Sequence, residues 1–103
     1  MSQIEVLNYT MDNPDVLVGL YKNFREIDQA LGIQCEVRYV LSIYGGETAG
    51  SRAIVYTYPD EVQAFEAQEK RQANASYQEL AQKLGEAGFA IVGRSLLLDI
   101  TPD

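Results

Sequence analysis

The stretch YGGETAGSR, Tyr44 to Arg52, sets Gly45 and Gly50 five residues apart and follows them with a hydroxyl and a cation. The spacing approaches the phosphate-cradling pattern G-x-x-x-x-G-K-[ST]. A phosphate loop needs a lysine after its second glycine and a helix N-terminus behind it, because amides and helix dipole act together on the anion. Here Gly50 precedes Ser51 and Arg52, and strand-like AIVYTY follows. Glu47 would add a negative charge inside the cradle. The segment therefore reads as a hairpin tip whose glycines permit positive φ. Two residues can close a hairpin. The longer tip makes Gly45, Gly46, Glu47 and Gly50 candidates for a flap over a pocket or for contact across a dimer.

Seven tyrosines are the next chemically capable set: Tyr9, Tyr21, Tyr39, Tyr44, Tyr56, Tyr58 and Tyr77. Several fall on strands. They serve either as amphipathic core filler, with hydroxyls reaching an edge, or as the walls of a pocket for a flat hydrophobic molecule. Tyr39, Tyr56 and Tyr58 are the pocket candidates. Arg38 and Arg94 lie within otherwise mostly apolar strands. Each has two readings: pairing with a carboxylate such as Glu36, Glu5 or Asp99, or holding a ligand carboxylate through a bidentate contact. Cys35, at the start of a strand, reads as a small buried hydrophobe. The run EKR, Glu69 to Arg71, reads as a solvated helix face.

The chain has no histidine and no tryptophan. That removes Ser-His-Asp and Cys-His pairs, an imidazole base, and histidine-ligated zinc or haem. No catalytic residues can be named, and neither a metal nor a cofactor is expected. With 15 acidic and 8 basic residues the formal charge is −7, which argues against nucleic acid or an anionic membrane surface as partner. The start MSQIEVLNY has no basic region and no long apolar run, and no window approaches the ~20 apolar residues of a spanning helix. A cytoplasmic protein is expected, organised as one domain over residues 1–103.

The elements that must position these residues follow from periodicity. Ile4 to Met11 alternates as a first strand. Asn13 caps a helix, Pro14 suits its first position, and Leu17, Leu20, Tyr21, Phe24, Ile27 and Leu31 form its apolar stripe up to the Gly32 stop. CEVRYVLSIY and SRAIVYTY alternate as an antiparallel hairpin. Asp60 with Gln63 opens a second helix whose apolar edge is Val62, Ala64 and Phe65. Ser76 with Glu79 offers a second capping box, giving either one kinked helix or a long and a short one, ended by Gly85 and Gly88. Phe89 to Ile100 is the last strand.

This order, β-α-β-β-α-β, is the α+β ferredoxin-like arrangement: a four-stranded antiparallel sheet with helices on one face. The other face should be polar, yet both faces carry apolar residues. On the last strand Phe89, Ile91 and Leu97 are expected on one face and Val92, Leu96 and Leu98 on the other. Pairing of two copies through the sheets would cover the exposed face.

The order and the stretch IVYTYPDEVQAFEAQEKRQANASYQELAQKL resemble the dimeric α+β barrel superfamily, especially its small NIPSNAP-like and antibiotic-biosynthesis-monooxygenase-like members. The resemblance covers nearly the whole chain. It rests on an aromatic pair ending a strand (Tyr56, Tyr58), an acidic turn (Asp60), and a short helix, Ser76 to Leu84, opened by Tyr77. Relatives of known chemistry oxidise or cyclise aromatic polyketides or degrade haem, commonly with histidine, tryptophan or asparagine in the pocket. The resemblance thus implies Asn8 as a pocket residue, while the missing histidine and tryptophan disfavour haem degradation. The expectation is a homodimer binding a small hydrophobic or aromatic ligand in a tyrosine-lined pocket. The alternatives are a cofactor-independent monooxygenase- or cyclase-like enzyme and a ligand-free dimeric scaffold.

Overall fold

A computed structural model describes residues 1–43 and 51–102. The candidate flap, Gly45, Gly46, Glu47 and Gly50, lies outside the described residues. The elements run β1 (Gln3–Thr10), α1 (Pro14–Ala30), β2 (Glu36–Leu41), β3 (Arg52–Tyr58), α2 (Glu61–Gln72), α3 (Ala75–Glu86) and β4 (Ala90–Leu98). The four strands form one antiparallel sheet in the order β2-β3-β1-β4, the ferredoxin-like topology. β2 and β3 pair directly as antiparallel neighbours, and Arg52 belongs to a strand.

Helix ends explain how the chain reaches the sheet. Asn13 Oδ1 accepts from the Asp15 N–H at 3.1 Å, with Pro14 at the first helical position. α1 closes in a Schellman motif: Gly32, at φ +72°, donates to the Gln29 carbonyl and Ile33 donates to that of Asp28. α3 ends the same way, with Gly88 at φ +85° and Phe89 donating back to Leu84. A Cβ at Gly88 would meet the Asp12 carboxylate. Asp60 caps α2 through the Gln63 N–H at 2.8 Å.

Three expectations need correcting. α2 and α3 are equal, at 12 residues each, and α3 is capped by Asn74 rather than Ser76. Asn74 Oδ1 accepts from the Tyr77 N–H at 2.8 Å, and asparagine is at least as good a cap as serine. The buried edge of α2 is Ala64, Ala67 and Arg71, while Val62 and Phe65 are exposed. Two alanines let this helix lie close to the sheet at Tyr58, and larger side chains point away. On β4, a register shift opposite Asn8 and Tyr9 inserts Val92 as an extra residue. Ile91 therefore shares a face with Arg94, Leu96 and Leu98, and Leu97 lies on the other, because a bulge shifts the alternation by one residue.

All three helices pack on the sheet face that carries Glu5, Leu7, Tyr9, Ile54, Tyr56 and Tyr58. Tyr9 and Ile54 cluster with Leu17 of α1 and Leu84 of α3, and Tyr58 clusters with Ala64 and Ala67 of α2. The opposite face presents Ile4, Val6, Asn8, Glu36, Arg38, Val40, Ala53, Val55, Thr57, Ser95 and Leu97, as the pairing register and strand alternation require. Among the described residues no helix is long and apolar enough to cross a membrane.

Candidate functional site: a tyrosine-lined cavity floored by an arginine

The helices do not fill the space above the sheet. Between the covered face and α1, α2 and α3 lies a cavity of about 790 Å³. Its aromatic walls are Tyr21, Phe24, Tyr39, Tyr56, Tyr77 and Phe89. Tyr21 and Tyr39 meet edge to face at 5.2 Å between centroids, as do Phe24 and Tyr77 at 5.3 Å.

Arg71 lines the cavity and is itself only 3% exposed. Its Nε and Nη2 donate to the two Asp28 carboxylate oxygens at 3.0 and 2.8 Å, a bidentate pair tying α2 to α1. Nη1 donates to the Tyr58 hydroxyl at 2.6 Å. The guanidinium carbon lies 5.2 Å from the Tyr56 ring centroid, 5.7 Å from Tyr58 and 6.0 Å from Tyr77. One charge is thus held by a carboxylate, a phenol and three ring faces. Burial opposes the charge, but the Asp28 hydrogen bonds and the Tyr58 and Asp28 fields outweigh it and hold the guanidinium protonated.

The Schellman turn of α1 helps to place this pair. Asp28 gives its backbone carbonyl to Ile33, which fixes the helix end where its side chain meets Arg71. Burial pushes the phenols of Tyr39, Tyr56, Tyr58 and Tyr77 above their ordinary range, although Arg71 pulls the last three the other way. They stay neutral at physiological pH and can donate hydrogen bonds. Burial also raises the Cys35 thiol, against the pull of Arg71, so this cysteine is a poor nucleophile.

Of the residues singled out in the sequence, Tyr21, Cys35, Tyr39, Tyr56 and Tyr77 line the cavity, and Arg38, whose register with Val55 places it on the opposite face of the edge strand, also borders it. Tyr58 lies beneath, 1% exposed, holding Arg71 through its hydroxyl. Arg38 pairs with Glu36 on its own strand. Arg94 is outside the cavity lining: its Nε donates to the buried Glu5 at 2.6 Å, and Gln68 also donates to Glu5. Asn8 belongs to the opposite sheet face, 3.4 Å from where a Cβ on Gly93 would stand. The EKR reading is corrected: Glu69 and Lys70 are solvated, but Arg71 is buried. Its signal was present in the sequence, because Arg71 continues the Ala64 and Ala67 positions at helical spacing. Among the described residues no group of three acidic or cysteine side chains is placed to hold a metal.

No family model matches the chain. No curated protein matches it either. Solved structures share its fold. A NIPSNAP family protein from Agrobacterium tumefaciens superposes with a TM-score of 0.68 at 15% identity, covering 99% of this chain and 98% of that one. A NIPSNAP domain protein from Burkholderia xenovorans gives 0.59 at 19% identity, covering 98% and 99%. A dimeric ferredoxin-like protein from an uncultured marine organism gives 0.58 at 16% identity, covering 98% and 97%. The chain therefore has the ferredoxin-like fold found in NIPSNAP proteins.

Proposed function

We propose that this protein binds a small, flat, hydrophobic molecule between its sheet and helices, as a homodimer joined through the uncovered sheet faces. The observation that carries the reading is the cavity of about 790 Å³ walled by Tyr21, Tyr39, Tyr56 and Tyr77. Ligand pockets typically span roughly 300–1,000 Å³. A planar ligand would stack on the rings, and the neutral hydroxyls would supply hydrogen bonds.

Binding without catalysis is favoured over the monooxygenase- or cyclase-like alternative by the state of the acids. Asp28 and Glu36 are the carboxylates lining the cavity, and each is held by an arginine. Both are engaged in ion pairs, so no unpaired carboxylate lines the cavity among the described residues. Self-association is supported by the apolar open face, where Val6 pairs with Val55 at the centre and Leu97 is half exposed. The dimeric ferredoxin-like protein of similar fold points the same way.

The test is a filled cavity. Ala81 lines the space from α3, so Ala81→Phe would occupy part of it. Calorimetry with two- and three-ring aromatic compounds should show binding to the native chain and at least about a tenfold loss in the variant, or about 1.4 kcal/mol. Equal affinity in both chains would reject the cavity as the site.

A further inference from the structure

The charges around the cavity say more about its occupant. The chain carries a formal charge of −7, yet three of its five arginines, Arg25, Arg38 and Arg71, line this one space. Two acids line it, Asp28 and Glu36. Asp28 is consumed by Arg71 and Glu36 by Arg38. Among the described residues, three cations less two anions leave one positive charge, that of Arg25. Arg25 is exposed on α1 and forms no ion pair among the described residues.

The rest of the polar lining agrees. The phenols of Tyr39, Tyr56 and Tyr77 are held neutral by burial and can donate. Gln29, one helical turn beyond Arg25, also lines the cavity and adds an amide donor. Among the described residues the space thus offers aromatic walls, hydrogen-bond donors and one surplus cation, with no carboxylate left unpaired. A neutral hydrocarbon would leave those donors unused, and a cation would meet Arg25 with like charge.

We infer that the cavity takes a flat aromatic or conjugated carboxylic acid, its ring system against Tyr39, Tyr56 and Tyr77 and its carboxylate at Arg25. This rests on the cavity being a binding site and goes further by fixing the ligand's charge. A guanidinium meets a carboxylate through two parallel hydrogen bonds, which gives orientation as well as attraction. A partly exposed pair contributes modestly, so the expected discrimination is about fivefold.

The experiment compares 2-naphthoate with its neutral isostere 2-naphthamide, by calorimetry on the full chain. The native protein should prefer the acid by about fivefold, and Arg25→Gln should erase the preference while still binding the amide. Raising salt should weaken the acid alone. Arg25 is on an exposed helix surface, and a circular dichroism melt of the variant confirms that it folds. Equal affinity for acid and amide in the native chain overturns the inference and leaves the cavity reading standing. A preference that survives Arg25→Gln also overturns it. Binding of neither probe removes the cavity reading and this inference together.

Discussion

The two faces of the sheet are built from the same four strands but solve different problems. The covered face carries Glu5, Tyr9, Tyr56 and Tyr58, with Arg71 and Asp28 descending from the helices. Long side chains line a hollow between the sheet and the helices, while α2 lies close to the sheet at Tyr58. The centre of the open face, on β1 and β3, carries Ile4, Val6, Ala53, Val55 and Thr57, all short and mostly branched, with the Glu36–Arg38 ion pair beside them on the edge strand β2. Such a surface suits a second sheet packed about 10 Å away. Side-chain length separates the face proposed to bind a ligand from the face proposed to assemble.

The comparison breaks most sharply at Arg71. Arg71→Met leaves Asp28 without its partner beneath the helices, and breaking a buried pair costs about 3–5 kcal/mol. Urea denaturation should show that loss. Replacing Asp28 with leucine as well should recover much of it, because paired removal leaves no buried charge. The open face should respond in the opposite sense. Val6→Asp, at the centre of that face opposite Val55 and Ser95, should leave monomer folding nearly unchanged. It should weaken the proposed sheet-to-sheet pairing by about a hundredfold or more, since a desolvated carboxylate would lack a partner. Sedimentation mass at micromolar concentration reads this directly.

Alkaline pH should act through the covered face. Tyr39, Tyr56, Tyr58 and Tyr77 have phenols raised by burial above those of the unfolded chain. A raised folded value means their contribution is fully present below the unfolded value of roughly 10. It is lost as pH climbs from there toward the folded values, because the unfolded chain releases its protons first. Denaturation at pH 11 against pH 8 should show a loss of about 1 kcal/mol for each well-buried tyrosine. Replacing Tyr56 with phenylalanine should remove its share. The smallest effect belongs to the cap: Asn74→Ala should cost about 1 kcal/mol. It should loosen Tyr77, whose N–H the cap receives, without touching the dimer.

Much of the fold was legible because it rests on local chemistry. Asn13, Pro14, Gly32, Asp60 and Gly88 carry their turn and cap preferences wherever they stand, and strand alternation carried β1, β2 and β3. The bulge on β4 was not legible, since Val92 looks like any other strand residue and its insertion depends on pairing with Asn8 and Tyr9. The site was half legible. Tyr39 and Tyr56 were visible as aromatics on a strand face that helices would cover. Arg71 was hidden in a charged run, because its burial depends on Asp28, which is 43 residues away in sequence, and on Tyr58. Only the helical spacing from Ala64 and Ala67 hinted that this cation turns inward.

The most direct measurement is where a bound probe sits. Intermolecular nuclear Overhauser effects from 2-naphthoate should reach the ring protons of Tyr39, Tyr56 and Tyr77 on the covered face. Contacts to the methyl groups of Val6 and Val55 instead would put the ligand on the open face and contradict the division between a binding face and an assembling one.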